Sequence, residues 1–382
     1  MTGKQRFDAI MNYQKPDKLP LYIPTVACTV ASEILGRQVS TGADSLHFAE
    51  ELAICRGKDA YEEFEGRFYE DSADLHRALR VDIVRVTWRA GGRANKQLDE
   101  HTLLFGDENG EHFIKRFYPE SQTYGIVYDN RKPQTPEDLL AIYENALEQP
   151  ETVPTEEDAV ASLKTSLGIF EQHKGEELGE IIFGGGFGIG MFSPPLLELC
   201  ITHPEVLHAT YMRAARYETV RMKHLVKLGY RFFNGGIDMA SNQGPIYSPK
   251  TFREVMAEPL TLFADACEKE NAIFCYRSDG NMWPVFDIMF GECGVQAYGE
   301  VDRDATMTVE AIRKRNPNVI ILGNMSSAFL HRATEAEVRE ETRKQLEEAG
   351  GSHFIPGPSN AVMPGTPAKN IFAMVEEIEK FT

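Results

Sequence analysis

Residues 272–281 read AIFCYRSDGN: five apolar residues typical of a buried strand, followed at once by an arginine, an aspartate and small polar residues. Eight such apolar runs occur along the chain, and a helix-like stretch usually follows each one. The runs cover residues 18–25, 81–88, 180–183, 231–233, 272–276, 295–298, 319–322 and 353–355. This alternation predicts a (β/α)8 TIM barrel, in which the chemistry lies at the carboxyl ends of the strands.

The predicted organisation is a single barrel domain over residues 1–382 with an N-terminal helical segment at residues 4–14. A chain of this length can also hold two domains. Residues 101–130 interrupt the alternation, because two β-like runs flank the turn sequence Asn109-Gly110. We therefore predict a β-hairpin insertion at 101–130 that caps the barrel and is not a separate domain.

The composition argues against several classes of function. The formal net charge of −18 repels nucleic-acid backbones, so we expect no nucleic-acid partner. No apolar run reaches the roughly 18 residues that a membrane helix needs, and the N-terminus lacks an apolar signal core. The six cysteines contain no CxxC pair, which indicates reduced thiols. Together these features predict a cytoplasmic protein without a membrane partner.

Charged residues follow the fourth and fifth runs. Arg277 and Asp279 stand two residues apart, so on an extended strand end they point to the same side. Such a pair can orient a carboxylate, stabilise a developing anion or donate a proton, or it can be a structural ion pair. Asp238 follows the fourth run and is either a structural cap or a functional carboxylate. We take Arg277, Asp279 and Asp238 as the candidate catalytic residues.

Glycines follow the third run, in Gly184-Gly185-Gly186-Phe187-Gly188-Ile189-Gly190. A glycine-rich turn between a strand and a helix can hold a phosphate, but this spacing matches neither GxGxxG nor GxxxxGK. We therefore interpret the glycines as allowing a large substrate or cofactor to approach the backbone. Gly185, Gly186 and Gly188 are the predicted cofactor-binding residues.

Aromatic and amide side chains near the run ends are candidates for substrate binding. The aromatic rings can enclose an aromatic substrate or belong to the core, and the sequence favours neither. The predicted substrate-binding residues are Trp88, Phe187, Asn234, Tyr276, Tyr298, Asn324 and Asn360.

Metal ligands are not indicated by any sequence motif. The ten histidines form no HxH or HExxH pattern, and no cysteine spacing matches a zinc site. Asp238, Glu254 and Asp279 offer oxygen ligands for a divalent ion. The sequence leaves the metal unknown, with Asp238 and Glu254 as weak candidates.

Several motifs together resemble the uroporphyrinogen decarboxylase superfamily, over nearly the whole chain and most strongly from residue 179 onward. They are Lys4-Gln5-Arg6-Phe7, Pro16-Asp17-Lys18-Leu19-Pro20, Asp238 with Gln243-Gly244 and Ser248-Pro249, Ser278-Asp279-Gly280-Asn281, Gly357-Pro358-Ser359-Asn360 and Thr366-Pro367-Ala368-Lys369-Asn370. The resemblance implies either decarboxylation of a porphyrinogen or methyl transfer involving a corrinoid carried on a small partner protein.

Within the superfamily the sequence favours a corrinoid-dependent methyltransferase that resembles methoxyarene O-demethylases. The stretch Tyr22–Val30 lacks the paired arginines by which the decarboxylase is recognised. In the branch that methylates thiols, zinc is held at positions that resemble Arg277, Asp279 and Asn360, none of which is a zinc ligand of that branch. Zinc is therefore left open, and the implied cofactor is the corrinoid (cobalamin) of the partner.

Three hypotheses follow. The first is methyl transfer from a small donor, best a methoxylated aromatic, to a Co(I) corrinoid on a small corrinoid-binding protein. In that hypothesis Arg277 supplies charge, and Asp279 or Asp238 supplies or relays a proton to the leaving oxygen. The second is a decarboxylase on the same barrel. The third is a non-catalytic member that binds a tetrapyrrole or a small molecule. A homodimer is left open.

Overall fold

The computed structural model describes residues 1–381. Thirteen strands occur in this part of the chain: β1 Ile83–Arg85, β2 Lys96–Asp99, β3 Thr102–Gly106, β4 His112–Tyr118, β5 Thr123–Asp129, β6 Gly179–Phe183, β7 Phe232–Gly235, β8 Ala240–Ser241, β9 Gly244–Pro245, β10 Ile273–Arg277, β11 Ala297–Gly299, β12 Ile320–Leu322 and β13 Phe354–Ile355. Seven of them form a parallel sheet in the order β1-β6-β7-β10-β11-β12-β13, which corresponds to seven of the eight predicted runs.

The helices lie mainly between these parallel strands. The α-helices span Gly3–Met11, Cys28–Leu35, Ala43–Arg56, Lys58–Ala78, Pro136–Glu148, Glu156–Ala161, Lys164–Gln172, Pro194–Thr202, Pro204–Lys227, Pro249–Phe252, Glu258–Lys269, Trp283–Asp287, Val309–Arg315, Ser327–Arg332, Glu335–Ala349 and Ala368–Lys380. Arg253–Ala257 and Ile288–Glu292 are π-helical, and Arg303–Ala305 is a 3₁₀ turn. None of these helices, within residues 1–381, is long and apolar enough to cross a bilayer.

The first run, residues 18–25, forms no regular strand, which corrects that part of the prediction. It closes the gap between the first and last strands by single bridges. Tyr22 pairs in parallel with Ile83, and the Tyr22 N–H donates to the Pro356 carbonyl at 3.1 Å. Pro20 and Pro24 lack the N–H donors that a continuous ladder needs. The seven-strand sheet and this segment together form the TIM-like α/β barrel that the alternation predicts.

The insertion is larger than predicted. Strands β2, β3, β4 and β5 form a four-stranded antiparallel sheet, and its first strand lies outside the predicted 101–130. The turn at Asn109-Gly110 is confirmed: the loop between β3 and β4 is closed by the Asp107 N–H, which donates to the Glu111 carbonyl at 3.1 Å. The sheet packs on helix Ala43–Arg56 through a small separate core of Phe48, Leu103, Phe105 and Phe117.

Two helix starts behave as their sequences predict. Thr334 and Glu337 form a reciprocal capping box at the start of Glu335–Ala349, and the Ser248 hydroxyl accepts from the Thr251 N–H. Caps satisfy the first N–H groups of a helix, which otherwise lack partners. The parallel strands are almost fully buried, so the barrel is the main hydrophobic core and its polar rim carries the candidate site.

Candidate active site at the barrel mouth

A cavity of about 790 Å³ opens at the carboxyl ends of β6, β7 and β10. Its wall combines apolar side chains with backbone, since Phe183, Phe187 and Ala214 lie beside glycines of the two adjoining loops. The cavity lies where a TIM barrel carries its chemistry. The lining residues are Trp88, Thr152, Phe183, Gly184, Gly186, Phe187, Thr210, Arg213, Ala214, Tyr217, Glu218, Arg221, Asn234, Gly235, Gly236 and Arg277.

Arg277, the last residue of β10, lines this cavity and forms an ion pair with Glu300, which follows β11. Burial opposes the charge of the guanidinium, but the nearby Glu300 carboxylate favours it, and the net effect raises the pKa of Arg277. The Arg277 Nε is buried and has no hydrogen-bond partner. The ion pair therefore leaves part of the donor capacity of this arginine free.

Asp279 lies two residues further on and is largely buried. Burial raises the pKa of Asp279 to about 7, with further increases from the charges of Glu300 and Asp238. Asn360 opposes this effect by donating from Nδ2 to Asp279 Oδ2 at 2.6 Å. A carboxyl group with a pKa near 7 can both hold and release a proton at neutral pH, as a general acid must.

Asp238 and Asp302 complete an acidic rim around this carboxyl. The Asp279 N–H lies 3.4 Å from Asp238 Oδ1, and the Gly280 N–H donates to Asp302 Oδ2 at 3.3 Å. The structure therefore places Asp238 beside Asp279, two residues from Arg277, but of these three predicted catalytic residues only Arg277 lines the cavity. Glu300, which the sequence analysis did not select, belongs to the same group.

The glycine loop serves packing at two of its three predicted cofactor-binding positions. A Cβ at Gly185 would lie 2.5 Å from the Phe274 ring, and a Cβ at Gly188 would lie 2.3 Å from the Tyr276 hydroxyl. The Gly185 N–H already donates to Glu218 at 3.1 Å. A Cβ at Gly186 would meet nothing within 4 Å, and Gly186 lines the cavity. Of the three predicted cofactor-binding glycines, only Gly186 is placed to face a ligand.

Of the four predicted aromatic residues, two face the cavity and two do not. Trp88 and Phe187 line it, and Trp88 is 61% exposed. Tyr276 and Tyr298 are fully buried, and their hydroxyls donate to the carbonyls of Phe187 and Ser278, both at 3.3 Å. The prediction that these two tyrosines contact substrate is wrong for this structure, because their rings belong to the core.

The three predicted amide residues have different surroundings. Asn234 lines the cavity, and its buried Oδ1 has no hydrogen-bond partner. Asn360 holds Asp279 and so positions a candidate catalytic group. Asn324 is fully buried and donates to the carbonyls of Val301 and Met307 at 3.2 and 2.9 Å. Substrate contact by Asn324 is therefore excluded in this structure, because its amide joins neighbouring loops.

The weak metal candidates do not converge on a site. Across the described residues 1–381, no three His, Cys, Asp or Glu side chains are placed to share a metal ion. The Glu254 carboxylate lies 3.5 Å from the Lys250 ammonium on the protein surface. Asp238 instead faces the Asp279 backbone. The residues present do not fit a zinc site of the histidine and cysteine type.

Arg85, at the end of β1, was missed by the sequence analysis. Its side chain is buried, and its guanidinium carbon lies 5.1 Å from the centre of the Phe183 ring. The buried Nε has no hydrogen-bond partner. The available sequence feature was a charged residue inside the apolar run 81–88, where a purely structural strand would carry an aliphatic side chain.

Comparison with known structures supports the fold. A methyltransferase from Methanosarcina mazei is similar over 100% of this chain and 99% of its own, with a TM-score of 0.64 and 17% identity. A Listeria monocytogenes protein described as a vitamin-B12 independent methionine synthase covers 84% of this chain and 86% of its own, at 10% identity and a TM-score of 0.43. The second likeness is too low to support an argument.

Comparison with sequences points to one family. No curated protein sequence matches the chain. The family model named uroporphyrinogen decarboxylase (URO-D) matches residues 194–381, which carry β7, β10 and most of the motifs quoted above. Residues 194 to 381 therefore match the uroporphyrinogen decarboxylase family, in agreement with the resemblance that those motifs carry.

Proposed function

We propose that this protein is a methyltransferase that moves a methyl group from a small methoxylated aromatic compound to a Co(I) corrinoid on a small partner protein. The observation that carries the proposal is Asp279. It is a carboxyl group with a pKa of about 7, two residues along the chain from Arg277, which lines a cavity partly walled by aromatic rings. The methyltransferase identity of the Methanosarcina mazei structure supports the proposal at the level of fold.

The leaving oxygen sets the chemical requirement. When the bond between methyl carbon and oxygen breaks, the electron pair stays on oxygen, and the resulting phenolate needs a proton or a nearby positive charge. The corrinoid, when bound, supplies the nucleophile that accepts the methyl group. Protonated Asp279 donates its proton to the leaving oxygen and regains one from solvent after the product has left. Asn360 holds the carboxyl through Oδ2 and orients it.

Arg277 positions the methyl donor in this proposal. Its charge is shared with Glu300, so it is less suited to stabilising a full negative charge than the sequence alone suggested. Its free Nε remains available to a polar group of the donor. Phe183 and Phe187 line the same cavity and offer ring faces to an aromatic donor. Holding the donor in one orientation contributes to rate, because fewer approaches must be sampled.

A corrinoid on a partner protein would have to approach the open side of the cavity. The wall formed by Gly184, Gly186 and Gly236 has no side chains, so a flat macrocycle can come close to the backbone there. These glycines and the exposed Trp88 ring are the residues that would face it. Zinc has no ligand set in the described residues, and we assign it no step.

A porphyrinogen-type decarboxylase is the second candidate, because the buried Arg85 is a free cation of the kind a carboxylate substrate needs. A substrate with many carboxylates needs several such cations. The arginines that line the cavity are engaged at least in part: Arg213 donates to backbone carbonyls, Arg221 pairs with Glu218 at 2.9 Å, and Arg277 pairs with Glu300. The methyltransferase is therefore the better fit.

Anaerobic visible spectroscopy tests the proposal. The protein is mixed with Co(I) cobalamin, or with candidate corrinoid proteins, and with a panel of methoxylated aromatics and methylamines. We expect conversion to methylcobalamin with a methoxylated aromatic, and a much slower reaction for Asp279→Asn. Arg67→Ala, at an exposed position, is the matched control and should react at the wild-type rate. No conversion with any donor, together with CO₂ release from a porphyrinogen, would establish the decarboxylase instead.

A further inference from the structure

Arg85 is a buried cation without a counter-ion. It is 7% exposed, and no carboxylate of residues 1–381 lies within 4 Å of its guanidinium nitrogens. The guanidinium instead lies over two aromatic rings. Its carbon is 5.1 Å from the centre of the Phe183 ring and 5.8 Å from the centre of the Tyr22 ring. A buried guanidinium usually has a carboxylate partner, because burying an unpaired charge is costly. Arg85 therefore needs an anion that the protein does not supply.

Two other free polar groups lie around the same ring. The Arg277 guanidinium carbon is 5.9 Å from the Phe183 centre, and both Arg85 Nε and Arg277 Nε lack hydrogen-bond partners. The buried Oδ1 of Asn234 also lacks one. The two Nε atoms are donors, whereas the Asn234 oxygen is an acceptor that an anion does not satisfy. Native proteins satisfy nearly all buried polar atoms, so the two free arginine donors indicate a missing acceptor.

The space between these residues suits a small polar group. A gap of about 10 Å³ is lined by both arginines, Asn234, Glu300 and Ser359, and it has room for roughly one water-sized oxygen atom. Arg277 and Asn234 also line the large cavity. The gap therefore adjoins the cavity at Arg277 and Asn234, and we call it the base of the cavity; one oxygen of a bound molecule can reach it from there.

The charges at this base favour a monoanion. Among the residues that line the gap, Arg85 and Arg277 contribute two positive charges and Glu300 one negative charge, so one further negative charge balances this lining; Asp238, Asp279 and Asp302 lie outside it. The gap admits one oxygen of a carboxylate, and the free Nε donors of Arg85 and Arg277 are placed to bind an anionic oxygen by charge-assisted hydrogen bonds.

We propose that the base of the cavity, between Arg85 and Arg277, is a binding site for one carboxylate group of the substrate. With the proposed function, on which this extension rests, the methyl donor is then a methoxylated aromatic carboxylate. Its ring lies along Phe183 and its methoxy group points toward the mouth, where Asp279 follows Arg277. The binding site itself requires no methyl transfer, so it can be tested separately.

Isothermal titration calorimetry with benzoate and benzamide tests the site, because the two molecules have similar shapes and differ in charge. We expect wild-type protein to bind benzoate about 10-fold or more tightly than benzamide, the effect of a charge-assisted hydrogen bond. Arg85→Met should remove that preference, Arg85→Lys should retain part of it, and Arg67→Met should retain all of it.

The site would be overturned by equal wild-type affinity for the two compounds, or by no detectable benzoate binding at about 10 mM (roughly −3 kcal/mol or weaker). Both measurements use the wild-type protein, so they decide the question even if Arg85→Met does not fold. Tighter binding of benzenesulfonate than of benzoate would also overturn the assignment to a carboxylate. Benzoate binding without methyl transfer from any donor would support the site and contradict the proposed function. Methyl transfer from anisole as fast as from methoxybenzoates would support the proposed function and contradict the carboxylate site.

Discussion

Two regions of the molecule bury charge in opposite ways. Under the antiparallel sheet, Glu51 is 1% exposed and fully partnered: Lys115 Nζ lies 2.8 and 3.1 Å from its two oxygens, and the Tyr124 hydroxyl donates at 2.7 Å. At the barrel mouth, Arg85 has no partner and Arg277 is only partly satisfied. Both regions are protected from solvent, so burial alone does not distinguish them.

This difference gives a criterion for separating buried charges that stabilise the fold from buried charges that bind a ligand. A buried charge that holds two elements together gains stability only when each of its polar atoms is paired. A charge kept for a ligand remains unpaired until the ligand binds, and the surrounding structure bears that cost. On this criterion Glu51 holds the insertion to helix Ala43–Arg56, whereas Arg85 and Arg277 belong to the proposed binding site.

Replacing Arg277 should produce the largest effect. We expect Arg277→Ala to lower kcat/KM for methyl transfer by about 10²–10³-fold, as is usual when one preorganised polar group is removed. Arg277→Lys should recover part of the loss, because the charge remains while the planar fork is lost. The measurement is initial rate against donor concentration. Unchanged turnover in Arg277→Ala would place this arginine with Glu51, as a structural charge.

Replacing Glu51 should change stability and leave catalysis alone. We expect Glu51→Gln to lower the free energy of unfolding by about 3 kcal/mol, because it leaves the Lys115 charge without its buried partner. Denaturant unfolding measures this loss, and the rate per folded molecule should match wild type. The exposed pair of Lys58 and Glu62 provides the control, since Glu62→Gln should cost well under 1 kcal/mol. A stable Glu51→Gln variant with impaired activity would break the comparison.

Asp279 should produce a smaller effect that depends on pH. Its folded pKa of about 7 lies above its ordinary value of 3.8, so the folded protein holds a proton that the unfolded chain releases. The stability contributed by this proton is fully present below pH 4 and lost as the pH rises through 7. Asp279→Asn should therefore stabilise the protein more at pH 8 than at pH 5, by on the order of 2 kcal/mol.

Denaturant unfolding of both proteins at the two pH values measures that difference. Wild-type methyl transfer should also decline as the pH rises above about 7, since the donating form of Asp279 is then lost. An Asp279→Asn protein whose stability follows wild type at every pH would show that the carboxyl is ionised throughout and cannot act as the acid.

Much of the fold could be predicted from local patterns. Seven apolar runs became the parallel strands, and the Asn109-Gly110 turn formed between β3 and β4. Residues 18–25 failed as a strand because Pro20 and Pro24 interrupt the ladder, although the run looked suitably apolar. The insertion also contains β2, which was not predicted because the polar composition of residues 96–99 does not indicate an exposed edge strand.

The site was only partly predictable. The positions of Arg277, Asp279 and Asp238 near one another could be predicted because parallel strands place their carboxyl ends together, while their catalytic roles stay predictions. Tyr276 was misassigned, because it neighbours Arg277 in β10 and adjacent side chains point to opposite faces of a strand. Sequence does not say which of the two faces meets the cavity. Arg85 was overlooked because what distinguishes it is the lack of a carboxylate partner. Such partners come from distant parts of the chain, so the local sequence does not show whether one is present.

By itself the sequence determined the alternation of strands and helices, the insertion and the polar residues at the strand ends, since these depend on periodicity and local backbone preferences. The tertiary structure alone decided which charges are paired. Glu51 meets Lys115 across 64 positions, while Arg85 lies against Phe183, far along the chain, and meets no carboxylate. Burial, pKa and free hydrogen-bonding capacity are properties of such distant neighbours, because electrostatic energy depends on separation in space and on solvent exclusion rather than on order in the chain.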